Sequence, residues 1–288
     1  MRGLARVLEG QVIRHAETRR AGLRWAFPPG LAETLTGARV ERFRRRGKYM
    51  LMRLEGRPSL LIHLGMSGRM VARHRDAPPV PWMGPQGAAS DARGHNQPPE
   101  LHEHVMWETQ SGWRVGFVDP RRFGCLDLIA RDAEDTHKLL AGLGPEPLEP
   151  GFTVDALEAA LSDKITPIKA ALLDQKVVAG LGNIYVSEAL FRAGISPRRL
   201  AATIPGARAQ RLVPAITSVL SEAIEAGGSS LRDYVRADGE IGGFQDRFDV
   251  YDREGKPCRD CPGLPRCPGI TRLVQSGRST FYCPKHQR

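Results

Sequence analysis

The sequence predicts an α+β multidomain protein: a β domain first, a helical domain after it, and a short cysteine-bearing tail. Three observations carry this. Apolar residues alternate over short runs as far as Ile129, they recur at three- and four-residue steps from Val154 to Ala226, and four of the five cysteines crowd between Cys258 and Cys283. The domains expected are therefore 1–130, 131–249 and 250–288.

In chain order, Leu4, Val7 and Leu8 keep helical spacing and Gly10 closes that short helix. Strands follow at 11–16, 39–44, 49–54, 59–64, 104–108, 114–118 and 124–129, parted by Gly, Pro or polar turns, the signature of a sandwich or barrel. Residues 76–100 are rich in Pro, Gly and Ala, lack periodicity and predict a mobile surface insertion. After Gly144-Pro145-Glu146-Pro147 helices are expected at 154–161, 167–173, 183–193 and 208–226. The tail predicts turns and two small hairpins.

Composition narrows the partner. The 288 residues carry 42 Lys plus Arg against 32 Asp plus Glu, a net charge of +10, and 251–288 alone hold eight cations against three acids. An anionic partner follows. With 41% hydrophobic residues a packed core is available, which excludes disorder as the main state. No apolar run reaches membrane-spanning length, and the first ten residues interleave Arg2, Arg6 and Glu9 with Leu4, Val7 and Leu8, unlike a secretory signal. A cytoplasmic protein with no membrane partner is expected.

Four clusters carry chemistry. Cys258-x2-Cys261 and Cys283-x2-His286 have the spacing of a tetrahedral zinc ribbon, so one structural zinc is expected on Cys258, Cys261, Cys283 and His286, with Cys267 as the alternative to His286. Between the pairs, Arg278 stands at the tip of a hairpin sequence, where an Arg contacts a phosphate or is merely solvated. In the helical domain, Ala179-Gly180-Leu181-Gly182-Asn183 joins two helices with Asn183 at the N-cap position. Such a turn admits a phosphate, or only packs two helices, while Lys164 and Lys169 add charge nearby. In the β domain, four cations, Arg44 to Arg46 and Lys48, precede a strand. Met66 sits in a Gly-rich loop, and Arg121, Arg122 and Phe123 follow a turn. Apolar side chains with Arg and Phe are the set that wedges a duplex and fills the hole left by an extruded nucleotide; composition alone does not separate that from core Met and Phe.

Together the segments RRRGKYM, HLGMSG, HEHV, DPRRFG, LGPEPL, TPIKAALLDQ, VVAGLGNIYVSEALF, GGSSLRDYV and QSGRSTFYC, in this order, resemble the formamidopyrimidine-DNA glycosylase (Fpg/Nei) family over nearly the whole chain. The resemblance implies a two-layer β-sandwich, a helix–two-turn–helix domain and a zinc finger. Damaged double-stranded DNA would be gripped between them by what is expected to be a monomer. It implies base excision repair: a bifunctional glycosylase and AP lyase that flips out and excises 8-oxoguanine and formamidopyrimidines, then nicks the abasic site by β,δ-elimination. By the resemblance, Lys48 assists catalysis and Arg278 serves δ-elimination. Met66, Arg121 and Phe123 fill the void, and His102, Arg121, Lys164, Lys169 and Asn183 contact DNA. The loop over 229–244 would cap the lesion.

The chain departs from the family in three places. Ile165 stands where a Lys or Arg usually precedes Thr-Pro-Ile-Lys, and His286 stands where the last Cys is usual. Family members begin Pro-Glu-Leu-Pro-Glu-Val-Glu-Thr, whereas Met1-Arg2-Gly3-Leu4 aligns with the end of that helix. The chain as written is therefore expected to lack the proline nucleophile and glutamate acid. Either Met1 is internal to a longer protein, which the retained Lys48, Arg121 and Arg278 favour, or the chain is a catalytically inactive zinc-finger binder of damaged DNA. The blandest alternative is a nonspecific basic zinc-ribbon protein.

Overall fold

A computed structural model describes residues 1–76, 101–229 and 242–288. The insertion expected at 76–100 falls, but for its first residue, outside them, as does most of the expected capping loop. The described residues divide into two compact units, one within 1–137 and the other within 138–229 and 242–288.

The first unit opens with α1 (Arg2–Leu8), whose Leu4 and Leu8, one turn apart, enter the core. The strands are β1 (Ile13–Thr18), β2 (Val40–Arg46), β3 (Tyr49–Leu54), β4 (Ser59–His63), β5 (Arg69–His74), β6 (Glu103–Thr109), β7 (Trp113–Val118) and β8 (Cys125–Ile129), with α2 (Leu31–Leu35) between the first two. They form two antiparallel four-stranded sheets, ordered β1-β6-β7-β5 and β2-β3-β4-β8. Period-two alternation sends Met50, Met52 and Leu54 of β3 and Leu60 and Ile62 of β4 into one core with Val105, Trp107, Val115 and Phe117 of the other sheet.

The alternation does not predict β5 or α2. Met70, Val71 and Ala72 are contiguous rather than alternating, and the strand exists because β7 pairs with all six residues.

The second unit holds α3 (Val154–Leu161), α4 (Ile168–Leu173), α5 (Asn183–Arg192) and α6 (Ala207–Glu225), then β9 (Thr271–Gln275) and β10 (Arg278–Tyr282). Thr153 caps α3 by accepting from the Ala156 amide at 3.2 Å. Leu212, Ile216, Val219 and Ala223 of α6 pack with Val186, Ala189 and Leu190 of α5. The tail has one hairpin rather than two, because 258–267 form turns. No helix of the described residues is long and apolar enough to cross a membrane.

Candidate nucleic-acid interface and metal centre

Two short connections cross between the sheets of the first unit, 64–68 from β4 to β5 and 119–124 from β7 to β8. The register fixes them side by side, since His63 pairs with Cys125 where they leave one sheet and Arg69 pairs with Val118 where they meet the other. The buried Asp119 ties them together: one carboxylate oxygen accepts from Ser67 Oγ at 2.7 Å and the other from the Gly124 amide at 2.8 Å. A Cβ on Gly65, which has φ 68°, would lie 2.6 Å from the Phe123 carbonyl carbon, so only glycine permits this approach.

Because the loops use their polar groups on one another, their large side chains point outward. Met66 is 72% exposed and Phe123 44%, while the Arg121 guanidinium lies over the Phe123 ring at 4.8 Å. These are not core residues.

The same end of the sandwich gathers the other expected residues of this domain. Tyr49 pairs with His63, so the Gly47-Lys48 turn stands at the same edge, with Lys48 exposed and Gly47 at φ 56°. His102 precedes β6 with φ 69°, is exposed, and accepts through its carbonyl from the Asp119 amide at 3.1 Å.

His63 and Arg24 join this edge without having been singled out. The His63 ring packs on Tyr49 with centroids 4.8 Å apart, and its Nδ1 accepts from the Gly65 amide at 3.1 Å. Burial, then the charges of Lys48 and Arg24, lower its pKa to about 4. The ring is therefore neutral at pH 7, with its proton on Nε2 as a donor. Arg24, exposed over the Trp25 ring at 4.7 Å, donates its amide to the Gly124 carbonyl at 3.3 Å. A histidine ending an apolar strand before a Gly-rich loop was the available signal for His63; nothing local marked Arg24.

In the second unit, Ser276 and Gly277 both have positive φ, the two-residue turn of a tight hairpin, which leaves Arg278 exposed just past the tip. Lys169 corrects an expectation. Rather than facing DNA it is 0% exposed, and its amine donates to the Ser279 carbonyl at 2.9 Å and Thr280 Oγ1 at 2.7 Å. Burial, then the charge of Arg278, lowers its pKa to about 8. Asn183 is the first residue of α5, with Gly182 at the cap, and its Nδ2 also donates to the Ser279 carbonyl at 2.9 Å. Lys164 is half-exposed and pairs with Asp174 at 3.8 Å.

The cysteines give a second correction. The sulfurs of Cys258, Cys261, Cys267 and Cys283 all lie within 4.8 Å of one another. His286 is outside the set, because its Nε2 lies 3.1 Å from the Phe191 carbonyl and its ring packs on Phe191. Only its amide reaches the cluster, donating to Cys283 Sγ at 3.4 Å. A tetrahedral ion with metal–sulfur bonds of about 2.3 Å sets its ligands about 3.8 Å apart. Cys283 lies 3.6 Å from Cys261 and 3.5 Å from Cys267, so the donor set fits such an ion. Burial and its cysteine neighbours push the Cys261 thiol well up, whereas in Cys283 burial is outweighed by hydrogen bonds from the His286 and Lys285 amides and from Cys267 and Cys258, and its pKa is lowered.

The chain thus pairs a β-sandwich whose Met66 and Phe123 face outward on one edge with a helical unit carrying four clustered cysteines. The chain matches the formamidopyrimidine-DNA glycosylase N-terminal domain over residues 1–126 and that family's H2TH domain over 143–235. It is 57% identical over 288 residues to the formamidopyrimidine-DNA glycosylase of Acidiphilium cryptum and 55% over 293 to that of Ruegeria pomeroyi, covering 100% of this chain and 96% of each relative. Among solved structures it resembles the MutM (Fpg) protein of Thermus thermophilus (TM-score 0.82, 36% identity, 99% of this chain and 95% of that one). It also resembles Lactococcus lactis Fpg in complex with DNA containing an abasic site (TM-score 0.84, 29% identity, 100% and 96%). The chain belongs to the formamidopyrimidine-DNA glycosylase family.

Proposed function

We propose that this protein finds oxidised purines in duplex DNA as a base excision glycosylase and AP lyase, with zinc on the four cysteines as a structural ion. The observation that carries this is the outward Met66, Arg121 and Phe123 on loops locked by Asp119. Extruding a nucleotide costs a few kcal/mol, and a rigid wedge that replaces the lost stacking offsets part of it. Arg121 presents donors to the base left unpaired, while Lys48, the Nε2 proton of His63 and Arg278 supply positive charge or donors for phosphates. In the lyase step Lys48 is the amine able to move a proton during β-elimination, and Arg278, permanently charged, holds the phosphate that departs in δ-elimination. Zinc, when bound, supplies no reacting group; it closes the turns from which the Arg278 hairpin springs.

The test uses an 8-oxoguanine:C duplex and two proteins, the chain from Met1 and one extended at its N-terminus by the family's Pro-Glu segment. Borohydride trapping of a covalent adduct, with strand nicking, by the extended form supports the proposal. Preferential lesion binding with no adduct from either form makes the protein a damage-recognising binder instead. Equal affinity for lesion and intact duplex overturns both readings.

A further inference from the structure

The carbonyl of Ser279, next to Arg278, accepts hydrogen bonds from two helices, Lys169 Nζ of α4 and Asn183 Nδ2 of α5, each at 2.9 Å. Lys169 adds the bond to Thr280 Oγ1. On the other side of the turn, Gln275 Nε2 donates to the Pro197 carbonyl at 3.2 Å. The hairpin tip is thus held on both sides.

A lysine at 0% exposure with two neutral acceptors is an expensive arrangement, since burying an ammonium without a counter-charge opposes folding. One of its three N–H donors is left over, but at 0% exposure the amine reaches no phosphate without leaving the core. Its influence on a bound ligand must pass through what it holds.

We propose that Lys169 is a positioning residue that fixes β10 through Ser279 and Thr280, and so acts on DNA only by holding Arg278 in place. This rests on the reading of Arg278 as a phosphate contact. The reduced basicity of Lys169, owed first to burial and then to Arg278, agrees with a strut lying behind that guanidinium.

The experiment measures affinity of the full, metal-loaded chain for a duplex with one tetrahydrofuran abasic analogue, over a range of salt, beside an undamaged duplex. The proteins are wild type, Arg278→Ala, Lys169→Met and the double variant, with zinc content and Tm followed for each. Arg278→Ala is expected to weaken binding about tenfold or more and to lower the salt slope by about one. Lys169→Met weakens binding alone, yet in the Arg278→Ala background changes neither affinity beyond about twofold nor the slope. Should Lys169→Met destabilise the fold, Thr280→Val removes one acceptor only and is expected to give a smaller loss that likewise vanishes without Arg278.

If Lys169→Met still weakens binding in the Arg278→Ala background and lowers the slope by about another unit, the lysine touches phosphate and the proposal is wrong. Equal losses on both duplexes and in both backgrounds, with a fallen Tm, make the lysine merely structural and also overturn it. A silent Arg278→Ala removes the reading of Arg278 itself, and the proposal with it.

Discussion

At the scale of the residue, Asp119 and Met66 separate stability from function. Asp119 is 0% exposed and satisfies donors on both crossing loops, so Asp119→Ala leaves the Ser67 hydroxyl and Gly124 amide without acceptors. Thermal or urea unfolding is expected to show a loss of about 2–3 kcal/mol, together with loss of lesion preference. Met66 buries little of its side chain, so Met66→Ala should leave Tm within about 1 °C while reducing lesion preference in the same binding assay. Equal effects of the two substitutions on Tm would remove Asp119 as the tie. His63 gives a pH test. With its pKa near 4, it stays neutral as pH falls from 8 to 5 and protonates only below that, so the NMR shift of its ring protons should stay flat across that range. An inflection near 6.5 would show that burial does not govern the ring. Sequence order brought Met66, Arg121 and Phe123 to notice, but their outward direction depends on a carboxylate 52 residues from its Ser67 partner. Lys169 misled for a related reason: lysines are rarely buried, and only the packed hairpin reveals the exception.

At the scale of the element, the strands with alternating burial and the helices with three- and four-residue spacing were legible nearly to their ends. β3 and α3 fall at the expected residues, 49–54 and 154–161. What escaped was pairing that local pattern does not encode: β5, and the choice between Cys267 and His286. A C-x2-H ending is an ordinary ligand pair, but His286 packs against α5 through Phe191, and Cys267, in a loop of turns, closes the set. Cobalt(II) loading checks this by spectroscopy. His286→Ala should keep the sulfur-to-metal absorption of a four-thiolate site, whereas Cys267→Ser should shift or abolish it. The reverse outcome would return His286 to the ligand set. The finger is also tied to α5 by Glu188, fully buried, whose carboxylate accepts from the amides of Asp249, Val250 and Tyr251 at 2.8, 3.1 and 2.8 Å. Glu188→Ala, leaving three donors unpaired, should cost about 3 kcal/mol or more and loosen zinc retention against a chelator.

At the scale of the whole molecule, two units with separate cores invite separate probes. Trp25, Trp107 and Trp113 belong to the first unit and the second holds no tryptophan among its described residues, while the long helices α5 and α6 belong to the second. Tryptophan fluorescence therefore follows the sandwich, and the helical circular dichroism chiefly the other unit. Acid should act on the sandwich through Glu134, a carboxylate buried in the first unit. Burial opposes its charge, but hydrogen bonds from Arg53, Ser59 and Arg44 win and hold its pKa at about 2 against an ordinary 4.5. An acid whose pKa is lower in the folded state binds its proton first in the unfolded one. Its stabilisation is then present above pH 4.5 and is lost as pH falls toward 2. Urea unfolding followed by fluorescence should show stability falling steeply across that window. In Glu134→Gln, less stable at neutral pH, the fall should be shallower. The helical signal should respond to pH alike in both proteins, since Glu134 makes its ion pairs with Arg44 and Arg53 inside the first unit. If the substitution leaves the fluorescence profile unchanged, the Arg44–Arg53–Glu134 cluster is not what the sandwich loses in acid.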